Sequence, residues 1–515
     1  MKKSMLLITS LILLFILAAC NQDKSSSSNA TGEKTATEKK SENTLVVGLD
    51  DDPPQLDPHF STSAVDRQVF QNIYDKLVDI NEELEIIPGL AKKWEISEDE
   101  KSYVFYLEEG VKFHDGTDFN AEAVKWNFDR MLDDSLGLPR TSELSTVDKV
   151  EVVDEYTVKI HLKETFGPFL SILTDRAGMM VSPTAVEEKG ADFSNAPVGT
   201  GPYKFVERVK QDYLLVEKNE DYWGEKPKVD SITYRPYSDE NVRTTNFTSG
   251  DVDIINKIAA KDVETLKNNP SVTVSEKEGI GFQGVYLNTT TEPFNNKALR
   301  QAFDLVIDRK AIVDVALQGT AIPAASAIAP GSWAFDDSIK VKETDIEKAK
   351  EIMSEAGYPD GFTFTLKISA KVVEEQIAQM IQSMAKEAGI EVKIETVEFG
   401  TMLEQMDNLQ FQAARLGWSG RIDPDGNIHS LFRTGGSINY GYSNEKMDQY
   451  LDAARSAVEQ KDRKEWYKKA MALGQEEVPY IFLYHESDYK AYKNYIEGFE
   501  HVPDQMMRFK GVTVQ

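Results

Sequence analysis

Cysteine is all but missing: the chain has one, Cys20, in 515 residues. No intramolecular disulfide can form, and no thiolate metal cluster can be assembled. Histidine is scarce too. His59, His114, His161, His429, His485 and His501 stand singly, and none has the HExxH spacing of a helical zinc site. The nucleophile elbow GxSxG is lacking, because Gly417-Trp-Ser-Gly420 runs into Arg421. Gly279-Ile-Gly-Phe-Gln-Gly284 matches GxGxxG, but Val285-Tyr-Leu287 follows as a strand, so no helix N-terminus faces a phosphate. Those glycines read better as a hinge. Asp423-Pro-Asp425-Gly-Asn427 lacks the register and closing glutamate of a calcium loop. Neither a metal nor another cofactor is expected, and an enzyme is not.

Positive charge is in deficit. Lys and Arg number 58 against 86 Asp and Glu, a formal net charge of −28. Such a surface speaks against nucleic acid and anionic membrane as partners and favours solubility. It leaves room for a local cationic group in an acidic field.

What is present is length and a leader. A chain of 515 residues exceeds one ordinary core, so two or more lobes are expected. Lys2 and Lys3, an apolar run from Met5 to Leu17, and the small residues Ala18 and Ala19 form a secretory signal over residues 1–19. Leu17-Ala-Ala-Cys20 resembles the lipobox of bacterial lipoproteins, which implies a diacylated Cys20 as mature N-terminus. Residues 20–43 then form a polar, disordered tether.

Folding is expected to start at the strand Thr44–Gly48, followed by a loop forced by Pro53, Pro54 and Pro58 and a helix over Val65–Val78. Alternation marks strands at Tyr103–Leu107, Val150–Val153 and Thr157–Leu162, and Asn120 caps a helix over Ala121–Met131. Past residue 280 helices and strands alternate. Thr344 caps a helix over Asp345–Ala356, Phe362–Ile368 is a strand, an apolar face from Val373 to Ala388 makes a helix, and Ile390–Val397 is the next strand. That order implies a parallel α/β sheet, which the strand Phe411–Trp418 joins. Helices at Lys446–Val458 and Arg463–Glu476 and a strand at Val478–Tyr484 complete the pattern.

Several blocks, in order, resemble the peptide-type solute-binding proteins of bacterial ABC importers, the family of dipeptide, oligopeptide, nickel-chelate and glutathione receptors. They are Pro88-Gly-Leu-Ala91 with Trp94, Gly110-Val-Lys-Phe-His-Asp-Gly116 with Ala121-Glu122, and Val198-Gly-Thr-Gly-Pro-Tyr-Lys-Phe205. Asn219 with Tyr222-Trp223, Gly250 with Asp251 and Asp253, Pro293-Phe294, and Arg300 through Ile307-Asp-Arg309 continue the match. Ala123 and Val306 depart from the pattern at positions that read as packing or surface. The resemblance implies an α/β, two-lobe periplasmic-binding-protein-like fold with an extra subdomain in the first lobe and a hinge of two crossovers. Residues 44–280 with 480–515 would form lobe I (60–197 the extra subdomain) and 281–479 lobe II.

The implied function is an extracytoplasmic receptor, monomeric and anchored through Cys20 to the outer face of a Gram-positive membrane or in a periplasm. It would capture a small peptide or peptide-like solute by lobe closure and pass it to ABC permease subunits. Glutathione-like or metal-chelate ligands are the alternatives within the family, and a surface-anchored cell-wall peptide hydrolase is the alternative outside it. By resemblance the loop with Ser61 and Thr62 lies on one wall of the cleft. Tyr286, Asn288, Phe399 and the stretch Trp418, Arg421, Asp423 and Asp425 lie on the other, with Tyr440 among the following aromatics. Phe399 stands where related receptors often carry Trp. Arg421 stands where dipeptide receptors carry the Asp that holds the peptide ammonium. A guanidinium can only donate and prefers a carboxylate or phosphate, so the site is expected to hold an anionic group, with Trp418 packing on the ligand and Asp423 orienting the site. The competing expectation is that Arg421 pairs with Asp423 or Asp425 and merely fixes the loop.

Overall fold

The computed structural model describes residues 43–436 and 438–515. The expected signal segment and tether, with Cys20, lie outside the described residues apart from Asn43.

The strand Tyr480–Lys493 ties the molecule together. Its first half pairs antiparallel with Gln283–Leu287 and Ala321–Pro323, its second half with Ile254–Ile255 and Val272–Glu278. It thereby joins both lobes in one 12-stranded sheet. Its side chains are buried on either side of an exposed Glu486 and half-buried Ser487, so the strand leaves one core and enters another there. The chain also crosses at Gly279–Phe282, where the Gly279 N–H donates to the Glu486 carbonyl at 3.1 Å. A Cβ on Gly279 would stand 2.3 Å from that carbonyl oxygen, and one on Gly281 would stand 2.5 Å from the Trp418 carbonyl oxygen. The glycines of the GxGxxG stretch thus permit close backbone approach at the crossing.

In the first lobe Thr44–Leu49 pairs parallel with Ser231–Pro236 and Ile254–Ile255, and Tyr213–Lys218 and Tyr203–Val209 extend the sheet antiparallel. A separate four-stranded antiparallel sheet holds Ala91–Ile96, Ser102–Leu107, Thr157–Leu162 and Val147–Asp154 in that order. The helix Ala121–Leu132 covers it, started by Asn120, whose side chain accepts the Ala123 N–H. One apolar core runs through both sheets, from Val47 and Ile232 to Phe105, Phe128 and Ile160, and takes in Met507 and Phe509 near the C-terminus.

In the second lobe Thr363–Ser369 lies parallel to Glu391–Val397 and to Ala413–Arg415, with the helix Val372–Glu387 as the crossover. One core packs around Leu366, Ile377 and Leu483, and a second around Tyr286, Ile428, Phe432 and Tyr480.

Several local expectations are corrected. The first helix spans Ala64–Ile73 and does not reach Val78. Polar contacts pull the chain away: the Ile73 carbonyl accepts the Gly201 N–H, the Tyr74 hydroxyl donates to Leu56, and Asp75 is bonded by Thr200, Tyr222 and Trp223. Asp345, rather than Thr344, caps the helix Ile346–Glu355. The strand expected over Phe411–Trp418 is regular only at Ala413–Arg415, which pairs with Val285–Leu287 on one side and with Leu366–Lys367 on the other. Trp418 rejoins the sheet edge through an isolated bridge to Phe282. The long loop expected after it contains a helix, Pro424–Phe432, begun by Asp423 as cap and Pro424 as first residue.

Candidate functional site

The two lobes meet around a cavity of about 360 Å3. Its second-lobe wall is Trp418, Arg421, Asp423, Asp425 and the start of the helix Pro424–Phe432, and its first-lobe wall includes Arg67, Glu143, Ser171 and Asp175. The walls touch at the rim. The Gly167 N–H donates to the Arg455 carbonyl at 2.9 Å, and the Ser171 hydroxyl donates to Asp423 Oδ2 at 3.3 Å. The Arg455 guanidinium lies 5.5 Å from the centre of the Phe166 ring. Gly167 is required here, since a Cβ would fall 2.0 Å from the Ala457 carbonyl oxygen. This is a closed cleft.

Local sequence sets the second-lobe wall. Asn427 Oδ1 accepts the Trp418 indole N–H at 3.1 Å and the Arg421 backbone N–H at 2.6 Å, and its Nδ2 donates to the Arg421 carbonyl at 3.0 Å. One buried amide therefore fixes both residues. Gly426 makes room for the Arg421 side chain, whose Cγ would stand 2.7 Å from a Cβ there. The Arg421 guanidinium stacks 4.5 Å from the centre of the Trp418 ring. Its Nη1 donates to the Gly420 carbonyl at 2.8 Å, and no carboxylate pairs with it among the described residues. Burial pushes its pKa down, Arg67 and Arg140 add to that, and Asp175 and Glu143 oppose it through space.

Asp423 and Asp425 are bound elsewhere. Asp423 takes a two-pronged pair from Arg463, at 2.7 and 2.5 Å, while capping its own helix by accepting the Asp425 N–H at 2.9 Å. Asp425 takes the Nε and Nη2 of Arg455 at 3.0 and 2.6 Å. The expected alternative, Arg421 paired to either aspartate, is not what the structure shows. Asp423 lines the cavity, but both its oxygens are engaged by Arg463.

The first-lobe wall is a chain of charges. Arg67 Nε donates to Asp175 at 3.0 Å, and Arg176 lies 3.9 Å from the same carboxylate. Burial alone would raise the Asp175 pKa, but Arg67, Arg176 and Arg421 hold it well below the usual carboxylate range. Glu143 pairs with the buried Arg140. His429 lines the far end of the cavity, its pKa lowered by burial despite the pull of Asp425.

The remaining expected site residues are not brought to this cavity. Ser61 is fully buried and donates to Asp66 at 2.7 Å, while Thr62 is exposed. Tyr286 is buried edge-on between Tyr440 and Tyr480, at 4.9 and 4.6 Å between ring centres. Asn288 is buried with its amide satisfied by Leu409, Phe411 and Thr290. Phe399 is half exposed at the start of the helix Phe399–Asp407. Arg67, Glu143, Ser171 and Asp175 line the cavity and Asn427 holds its wall without being among the residues expected there. Asn427 follows the capping Asp423-Pro424, a signal that was legible; the others carry no local motif.

Among the described residues no cluster of three or more His, Cys, Asp or Glu is arranged to hold a metal ion. Ser275, His501 and Asp488 form a Ser–His–Asp array with bonds of 2.8 Å each. Lys490 also claims the Asp488 carboxylate, and the array is absent from the cavity lining. It serves as a tie between the strands Val272–Glu278 and Tyr480–Lys493 and the C-terminal segment. No helix of the described residues is long and apolar enough to cross a membrane.

Comparison with known proteins agrees with this architecture. The sequence model for bacterial extracellular solute-binding proteins, family 5 (middle), matches residues 85–439. The glutathione-binding protein GsiB of Shigella flexneri is 32% identical over 487 residues, covering 92% of this chain and 94% of its own. The ABC transporter-associated periplasmic binding protein DppA from Helicobacter pylori, in complex with the peptide STSA, superposes with a TM-score of 0.81 at 27% identity, covering 92% of this chain and 98% of its own. The oligopeptide-binding protein AppA from Bacillus subtilis, in complex with a nonapeptide, gives a TM-score of 0.80 at 27% identity over 92% and 99%. With a two-lobe fold, a closed interlobe cavity and these likenesses over nearly the whole described chain, the protein belongs to family 5 of the bacterial extracellular solute-binding proteins.

Proposed function

We propose that this receptor captures a small peptide or peptide-like solute between its lobes through an anionic group seated on Arg421, and hands it to an ABC importer. The observation that carries this reading is the Arg421 guanidinium, enclosed between the lobes, stacked on Trp418 and without a carboxylate partner among the described residues. A half-buried cation between two walls, without a counter-charge, gains from an anion that enters the cleft. A carboxylate accepting its fork would gain charge-assisted hydrogen bonds in a closed site. The cavity, about 360 Å3, is at the low end of the range for sites that bury small ligands and favours a short solute. A glutathione-like ligand is the second reading, supported by the 32% identity to a glutathione-binding protein.

Capture by closure requires that ligand bind the closed form better. The hinge would be the paired crossings at Gly279–Phe282 and Glu486–Ser487. Small-angle scattering of ligand-free protein should show an expanded form that compacts on saturation. Ligand at about 100 times Kd should stabilise the fold by roughly 2.7 kcal/mol. A tightly bound ligand with an unchanged radius would contradict closure. A turnover assay on the same peptides should show no cleavage, and cleavage would favour the hydrolase reading.

The anchor belongs to the same proposal: Cys20, following Leu-Ala-Ala, carries the lipid that holds a monomeric receptor at the extracytoplasmic membrane face. Cys20→Ser should release the protein to the soluble fraction or leave its precursor uncleaved. Normal processing with retention in washed membranes would overturn the anchor.

A further inference from the structure

The charges around the cavity form pairs, with one left over. Asp423 is matched by Arg463, Asp425 by Arg455, Glu143 by Arg140 and Asp175 by Arg67. Asp66 is matched through Ser61, whose hydroxyl donates to it at 2.7 Å while accepting from Arg176 Nη1 at 3.3 Å. Burial raises the Asp66 pKa to about 6, which leaves it mainly ionised at neutral pH. His429 is neutral there. Just outside, Arg508 pairs with Asp504 at 2.7 Å and Arg208 with Asp52 at 2.9 Å, so neither pair adds net charge. At the His429 end Arg433 is shared between Asp452, which lies 3.6 Å from His429, and Asp448, but Arg433 and Asp452 open to solvent, which screens them. Among the enclosed groups Arg421 is the cation that remains. A closed cleft with its lobes in contact thus carries one unmatched positive charge, inside a protein whose formal charge is −28.

We propose that the cleft selects solutes with one more acidic group than amino groups, such as acidic dipeptides or γ-glutamyl peptides, over neutral zwitterionic peptides. This rests on the reading that a peptide-like solute binds at Arg421, and adds the net charge of that solute. A zwitterion can place its carboxylate on Arg421, but it brings an ammonium that re-creates the excess cation inside the closed site. Glu143 and Asp175 can approach that ammonium only in competition with Arg140 and Arg67. A solute with a net negative charge leaves the closed cavity balanced. Low effective dielectric in a closed site makes that balance matter more than in water.

The test is calorimetric titration of the ligand-free protein with Ala-Glu, Ala-Gln and Ala-Lys, which share both termini and differ in side-chain charge. Ala-Glu should bind at least about tenfold tighter than Ala-Gln, and Ala-Lys weaker than either. In Arg421→Gln the Glu-over-Gln preference should collapse. In Glu143→Gln, which adds a second unmatched cation, it should steepen, a readout that stands even where Arg421→Gln binds neither peptide. Equal binding of Ala-Gln and Ala-Glu by the wild type, or a preference unchanged in Glu143→Gln, overturns the charge selection and leaves peptide capture intact. Failure of all three peptides to bind overturns peptide capture and the selection together.

Discussion

Three charged residues within five positions of one loop have opposite fates. Asp423 and Asp425 each give both oxygens to an arginine from a later helix. Arg421 is held by neutral groups, namely Asn427, Gly420 and the Trp418 ring. The aspartates are used in building the wall, and the arginine is left without a carboxylate partner among the described residues. Proximity in sequence says little about which charged residue in a binding loop is available. The deciding factor is whether the fold supplies a partner.

The largest expected effect comes from breaking the most buried pair. Asp423 and Arg463 have side chains only 6% and 3% exposed. Asp423→Ala strands a buried guanidinium and removes a helix cap, and should cost about 3–5 kcal/mol of stability. Urea denaturation should show a much lower midpoint with a similar slope; an unchanged midpoint would mean that Asp423 is not structural. Asp425→Ala should cost less, because Arg455 is 31% exposed and can turn to water.

Arg421→Ala should do the reverse. With no carboxylate partner to orphan among the described residues, it should leave the unfolding free energy from urea denaturation within about 0.5 kcal/mol of wild type, or raise it. Ligand affinity should fall by about 1.5–3 kcal/mol, roughly ten- to a hundredfold. A large stability loss with little change in affinity would erase the distinction between the arginine and its two neighbours.

Much of the fold was legible because its signals are local. Asn120 before an amphipathic run, alternation over Tyr103–Leu107, and strand–helix–strand order from Phe362 to Val397 needed no tertiary information. The helix Pro424–Phe432 has a local signal too, in Asp423-Pro424, but Gly426 and the charges of the same stretch equally suit a loop. The end of the first helix at Ile73 was not legible, since it is set by Gly201 and by polar groups gathered on Asp75 from Thr200, Tyr222 and Trp223. The same holds for the first-lobe wall. Arg67, Glu143 and Asp175 are far apart in the chain and meet only in the folded first lobe. Tyr286 and Asn288 illustrate the converse: residues that resemblance pointed to are packed and satisfied inside the second lobe.

The central claim, that Arg421 receives an acidic group of the ligand, is tested most directly by a double cycle. Wild type and Arg421→Ala are each titrated with the ligand identified by mass spectrometry of the purified protein, and with its carboxamide. If the guanidinium grips that carboxylate, removing either partner loses the same interaction, and the double change costs little more than one single change. Fully additive losses, or a wild-type protein indifferent to the amide, would contradict the account.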